Sequence, residues 1–277
     1  MPENVLSGPW NHAVSYLELF YNQERLAEAS CFFWEDSNKQ MMLVSNWHNF
    51  AGRNPLTNEP LHTLAGTPNF LRIHLYEKTS SEDINGNFAM KIITKTIPLV
   101  CENTGNNLWY EHHTLGSEAD IAAIEITCLK DSTTLLIGAN SIESDIVREF
   151  SVAQDAFIVG YPLGLISKSP LIPVWKRGTI ATDPNINPDG KQIIYVDAAT
   201  RPAMSGSIVL TKDVVTGNYP KKDGTMSDTI IAYTTQVVGI YSGRIGASNI
   251  EAQLGIVWKR KLIDEVVEAK KIAKTIF

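Results

Sequence analysis

The sequence predicts an all-β protein of two strand-rich units with one C-terminal helix. Three observations carry this. The apolar residues recur mostly with period two, the period of strands. The strand-like runs fall into two groups separated by an irregular stretch at 129–152. Only the final segment, 259–275, changes to helical spacing. Many short strands followed by a single helix argue for two all-β units rather than an α/β layer.

The first group begins at 14–20, where Val14, Tyr16 or Leu17, and Leu19 alternate with other residues. A continuous apolar run, Cys31-Phe32-Phe33-Trp34, marks 27–35, and another at 40–47 ends at His48. Segments 69–77, 88–100 and 119–127 complete the group. The stretch 129–152 holds Gly138, Ala139 and Asn140 and a short helical candidate at 142–150, and is taken as a linker. The second group comprises 155–160, 172–181, 192–198, 206–211, 229–241 and 254–258, punctuated by Asp183-Pro184, Asp189-Gly190 and Asp223-Gly224. In the last segment Leu262, Ile263, Val266, Val267, Ala269 or Lys270, and Ile272 fall at helical spacing. The expected division is therefore 1–128, a linker at 129–152, a second unit at 153–258 and a helix at 259–277.

Composition removes several functional classes. Hydrophobic residues make up 44% of the 277, enough for one large core or two small ones. The net charge of −6 and the absence of a basic stripe exclude the usual nucleic-acid binder, which must neutralise phosphates. No apolar run approaches the roughly 20 residues that span a bilayer, and the N-terminus shows no secretory h-region. Three cysteines, Cys31, Cys101 and Cys128, form no C-x-x-C motif. They are expected to be free thiols in a reducing, cytoplasmic compartment, without a structural metal. No cofactor is expected, and neither is a nucleic-acid or membrane partner.

Three short segments carry chemistry. His48 follows the apolar run Leu43-Val44-Ser45-Asn46-Trp47. Asp120 opens the apolar segment Ile121-Ala122-Ala123-Ile124, and a carboxylate entering a core needs a partner such as an imidazole N–H. Ser205 is followed by Gly206, Ser207 and a buried-type strand. These segments appear in the order His, Asp, Ser. With Gly160-Tyr161-Pro162-Leu163-Gly164, Trp175-Lys176-Arg177-Gly178-Thr179-Ile180 and Tyr195-Val196-Asp197-Ala198-Ala199-Thr200, they resemble the trypsin-like (chymotrypsin-fold) serine peptidases, in particular unspecialised bacterial members, over roughly 25–260.

The resemblance implies two antiparallel six-stranded β-barrels with the site between them. His48 and Asp120 would come from the first barrel and Ser205 from the second. It implies a serine endopeptidase acting on protein or peptide substrates; a regulatory partner, separately, is expected to be a distinct protein. Ser205 is then the nucleophile, His48 the general base and acid, and Asp120 the group that orients the imidazole. The N–H groups of Ala203 and Ser205 form the oxyanion hole. Ala199 lies at the base of the primary pocket, Ser242 and Gly243 form the edge that pairs with substrate backbone, and Gly255 leaves the pocket open. Arg244 is expected to be an ordinary surface residue, with a place at the pocket rim, where it would favour an acidic side chain, as the alternative.

Two positions depart from the family pattern. Ala203 stands where glycine is usual and resists unusual backbone angles. Met204 stands where digestive enzymes carry the Asp that pairs with a newly cut N-terminus, so no activation of that kind is expected. The Ala203 departure keeps an alternative open: a weak or inactive pseudoprotease that binds peptides. A metal hydrolase built on His48, His112 and His113 is disfavoured, because adjacent residues of a strand face opposite sides.

Overall fold

The computed structural model describes residues 8–63, 66–82, 88–162, 172–199, 201–244 and 254–274. Leu163, Gly164 and Thr200, quoted above, lie outside the described residues. The first unit contains β1 (Val14–Tyr21), β2 (Glu24–Glu35), β3 (Met41–Ser45), α1 (Trp47–Ala51), β4 (Phe70–Glu82), β5 (Phe88–Pro98), β6 (Tyr110–Glu111), β7 (Ala122–Glu125) and β8 (Thr134–Leu135). The second contains β9 (Asp155–Gly160), β10 (Val174–Ile180), β11 (Ile193–Asp197), β12 (Ile208–Gly217), β13 (Ile230–Arg244) and β14 (Leu254–Lys259), followed by α2 (Arg260–Ala269).

Both units are antiparallel, and the two-unit all-β plan with a terminal helix is the one expected. The second unit is a closed barrel in the order β10-β11-β14-β13-β12-β9. The first differs in strand number. It is an eight-stranded sheet in the order β5-β4-β1-β2-β3-β7-β6, with β8 added on β4. Strand β8 lies inside the stretch read as linker, where Tyr76 pairs with Leu135 and Glu77 with Thr134. The helical candidate at 142–150 is irregular, and the helical turn of this stretch is a short 3-10 turn at Ala139–Ser141. That turn is stapled to β2 by a pair of bonds: Glu35 N donates to Asn140 Oδ1, and Asn140 Nδ2 donates to Glu35 O.

The continuous apolar runs find their reason in two cores fed by the same strands. Cys31 and Phe33 point into the core of the first unit with Leu17, Leu43, Leu71 and Trp109. Phe32 and Trp34 point the other way, into a second core shared with Val159, Ile208, Leu210 and Trp258 of the barrel. Met41 and Leu43 divide from Met42 and Val44 in the same manner. A strand buried on both faces reads as an unbroken apolar run instead of an alternation. The barrel keeps a third core of its own, including Ile158, Val196, Val209, Val238 and Val257. The shared core therefore welds the two units together, and the site lies along the same seam.

Helix α2 covers the shared core with Leu262, Ile263, Val266 and Val267, all buried. Each such side chain contributes roughly 1.5–3 kcal/mol relative to exposure. Trp34 Nε1 donates to Asp264 Oδ1 at 3.1 Å, tying β2 to the helix. The helix is shorter than its pattern suggested. Lys270 adopts φ 46°, a left-handed residue that ends it, and its ammonium lies 2.8 Å from Asp36 Oδ2. Beyond it the chain is extended: Glu111 N donates to Lys271 O and Ala273 N donates to Trp109 O, both at 2.9 Å. Ile272 is thus exposed rather than on the helix face.

The three cysteines are unpaired: Cys31 buried, Cys101 half-buried and Cys128 exposed. Burial pushes the Cys31 thiol well above its ordinary value, so it stays neutral and packs as a small apolar group. Among the described residues no helix is long and apolar enough to cross a membrane.

Candidate active site

Strand β3 delivers His48. It ends at Ser45, Asn46 starts the short helix α1, and Gly52 closes that helix with φ 65°. Asp120 arrives from the other direction, directly after a 3-10 turn at Ser117–Ala119. It holds φ 42° and ψ 39°, a left-handed conformation that Asp tolerates better than most residues. Asn46 Nδ2 donates to Asp120 O at 2.8 Å, so the residue that opens α1 also fixes the backbone of Asp120.

The Asp120 side chain is 4% exposed, and its carboxylate is fully engaged. His48 N donates to Oδ1 at 3.0 Å. His48 Nδ1 lies 2.9 Å from both carboxylate oxygens. Ser242 Oγ donates to Oδ2. A carboxylate only accepts, so Nδ1 carries a hydrogen, and in the neutral ring Nε2 keeps its lone pair. The His48 ring, 16% exposed, therefore presents a base to the seam between the units.

Ser205 stands in the turn that leads into β12. The turn requires glycine after it: Gly206 has φ 84°, and a Cβ there would sit 2.1 Å from Ser30 O and 2.3 Å from Ser45 Oγ. The loop is pinned across the seam by Ser30 of β2. Ser30 N donates to Ser205 O at 2.9 Å, and Ser30 Oγ donates to Ala203 O at 3.0 Å while accepting from Tyr161 N at 2.9 Å. Sequence reasoning gave Ser30 no role, and nothing local distinguishes it. Its importance comes from bonds to residues more than 100 positions away.

Ser205 Oγ donates to Ser242 O at 3.2 Å. It does not bond His48 Nε2, the direct contact that a nucleophile and base would make. Ser242 joins them instead, with its hydroxyl on Asp120 and its carbonyl receiving Ser205. The position of Ser242 has a structural cause. Strand β13 pairs Tyr241 with Val257 and then Gly243 with Ile256, so Ser242 is the extra residue of a bulge. Bulges re-aim side chains, and this one turns Ser242 toward Asp120. Ser242 was expected only as substrate-pairing edge; its side chain faces the carboxylate.

The remaining expected residues divide. Among the described residues, neither Ala203 N nor Ser205 N donates a backbone hydrogen bond, so both N–H groups are available to an anion. Ala203 adopts φ 68°, the left-handed region that alanine was expected to resist, and its carbonyl bond to Ser30 holds it there. Gly243, φ 148°, would meet nothing among the described residues within 4 Å with a Cβ added, which leaves it as an open edge there. Ala199 and Arg244 are exposed. Gly255 requires a correction: it is buried, and the space in front of it is filled by Tyr241 rather than open. The histidine pair needs another. His112 and His113 follow β6 in a turn, and their rings stack at 4.8 Å instead of pointing apart. His112 is used structurally, with Nε2 2.8 Å from Glu265 Oε2 and Nδ1 accepting from Leu115 N at 3.1 Å.

Ala203 yields a first testable outcome. A left-handed alanine costs roughly 1–2 kcal/mol, and glycine at such a position gives back about 0.4–1 kcal/mol as unfolded-chain entropy. Ala203→Gly is therefore expected to stabilise the protein by up to about 1 kcal/mol, read as a raised midpoint of urea unfolding.

Fold and site together define a two-unit antiparallel β protein with a C-terminal helix and with an Asp–His pair and a pinned serine along the seam. No protein-family model and no curated protein sequence matches the chain. Among solved structures it is similar to the Rv3671c protease of M. tuberculosis. The active form is 14% identical with TM-score 0.46, covering 96% of this chain and 84% of that one. The inactive form is 13% identical with TM-score 0.44, covering 94% and 89%. Similarity of this degree assigns no property to this chain.

Proposed function

We propose that the protein is a serine endopeptidase in which Ser205, His48 and Asp120 act together. The observation that carries this reading is the string of hydrogen bonds from His48 through Asp120 and Ser242 to Ser205. A structural Asp–His pair has no need of a serine hydroxyl at its far end, nor of two unengaged N–H groups beside that hydroxyl.

In the reaction, Ser205 Oγ turns from Ser242 O to His48 Nε2 by a rotation about χ1, between staggered rotamers. His48 takes the hydroxyl proton as Oγ bonds to the scissile carbonyl carbon. The carbonyl oxygen becomes an anion and receives the N–H groups of Ala203 and Ser205. Asp120 stabilises the imidazolium formed on His48 without taking its proton. The intermediate collapses, the C–N bond breaks, and His48 gives its proton to the departing amine. Water then repeats the sequence on the acyl-serine, releasing the acid and restoring Ser205.

A second reading is favoured by one feature, the bond of Ser205 Oγ to Ser242 O in place of His48. If that rotamer were fixed, the protein would bind peptides along Gly243 without cleaving them. The two readings part on whether Ser205 adds covalently to a fluorophosphonate, which needs an activated serine and no particular substrate. Three unpaired thiols suit a reducing compartment, and we place the protein in the cytoplasm.

A further inference from the structure

Resting on the endopeptidase reading, we propose that Tyr241 forms the floor of the primary specificity pocket and restricts cleavage to bonds that follow glycine, alanine or serine. The substrate's position is set by three features: the Ser205 hydroxyl, the N–H groups of Ala203 and Ser205, and the open edge at Gly243. With a peptide so placed, the side chain on the acyl side of the scissile bond enters the barrel between the turn carrying Ala198 and Met204 and the ends of β13 and β14.

That volume is occupied. Tyr241 is 2% exposed and packs with Val196, Ala198 and Met204 in the barrel's own core. A Cβ added to Gly255 would lie 2.5 Å from Tyr241 Cε2 and 3.1 Å from Val196 Cγ2. The ring thus lies against the bare α-carbon of Gly255, filling the place that a longer substrate side chain would take. The bulge explains the direction. Ser242 turns outward to Asp120, while Tyr241, one residue earlier, turns into the barrel. Its backbone is locked on both sides, since Tyr241 N donates to Ser207 O and Gly206 N donates to Tyr241 O, both at 2.9 Å. The same two bonds tie the strand that carries the ring to the turn that carries Ser205. Val196, Ala198, Met204 and Gly255, the described residues around this volume, offer no carboxylate to a lysine or arginine side chain.

Specificity is read with a series of peptide substrates differing only at the acyl-side residue. One methylene too many in a filled pocket costs about 10–200-fold in kcat/KM. Wild-type protein is expected to favour alanine over phenylalanine by at least about 100-fold. Tyr241→Ala, and Tyr241→Val as the variant that leaves the smaller cavity, are expected to lower this ratio by about 100-fold or more, whereas Tyr241→Phe keeps the preference. A parallel measurement needs no chemistry: calorimetric binding of product peptides ending in alanine or phenylalanine to Ser205→Ala protein. Tighter binding of the phenylalanine peptide, or an unchanged ratio in folded Tyr241→Val, overturns the pocket assignment. Absence of cleavage with retained preference for the alanine peptide overturns the endopeptidase reading and leaves the pocket standing.

Discussion

Ser205→Ala is expected to lower the kcat of peptide hydrolysis on the order of 10⁶-fold while the fold persists. Removal of the nucleophile from a triad that works as a unit costs about as much as removal of the whole triad. The structural cost is small by comparison. The hydroxyl makes one hydrogen bond, to Ser242 O, and a neutral bond contributes about 1 kcal/mol. The backbone bonds that hold the turn, Ser30 N to Ser205 O and Gly206 N to Tyr241 O, do not involve the side chain. Turnover of a peptide substrate, compared with the urea midpoint of the same preparation, separates the two effects. Residual activity within tenfold of wild type would remove Ser205 from the mechanism.

Asp120→Asn is expected to lower kcat by about 10⁴-fold near neutral pH. The carboxylate accepts from three directions: His48 N, His48 Nδ1 and Ser242 Oγ. An amide offers only one oxygen, and its NH2 group must face one of these donors. If it faces the imidazole, Nδ1 becomes the acceptor and the hydrogen moves to Nε2, where it points at Ser205 in place of the lone pair. The base is then in the wrong tautomer, although its position is kept. Substrate binding does not use this carboxylate, so the loss should fall on kcat with KM little changed. A variant that keeps kcat would show that the Asp120–His48 pair serves the fold alone.

Much of this was legible in the sequence because the responsible patterns are local. The switch to helical spacing at Leu262, Ile263, Val266 and Val267 reports directly on which face is buried, whereas the alternation across 14–20 marks a strand whose two faces enter different cores. His48, Asp120 and Ser205 sit at the ends of apolar runs, where a polar group entering a core must have a partner. What was not legible depends on register and on distant pairing. The bulge at Ser242 inserts a residue that no local signal marks, and it decides that Ser242 faces Asp120 while Tyr241 fills the barrel beside Gly255. A glycine in a strand reads equally well as an open pocket wall or as room for a neighbouring ring. Ser30 holds the nucleophile turn through bonds to Ala203, Ser205 and Tyr161, none of them near it in sequence. The stretch at 129–152 looked like a linker because β8 is only two residues long, too short to show a period.

The central claim is that Ser205 is an activated nucleophile, and covalent labelling tests it most directly. The protein is incubated with a fluorophosphonate, digested, and the adduct located by mass spectrometry. The account predicts one phosphonyl group per chain on Ser205, with labelling lost in Ser205→Ala and slowed by several orders of magnitude in Asp120→Asn. A folded wild-type protein that remains unlabelled, or an adduct on any other residue, would contradict it.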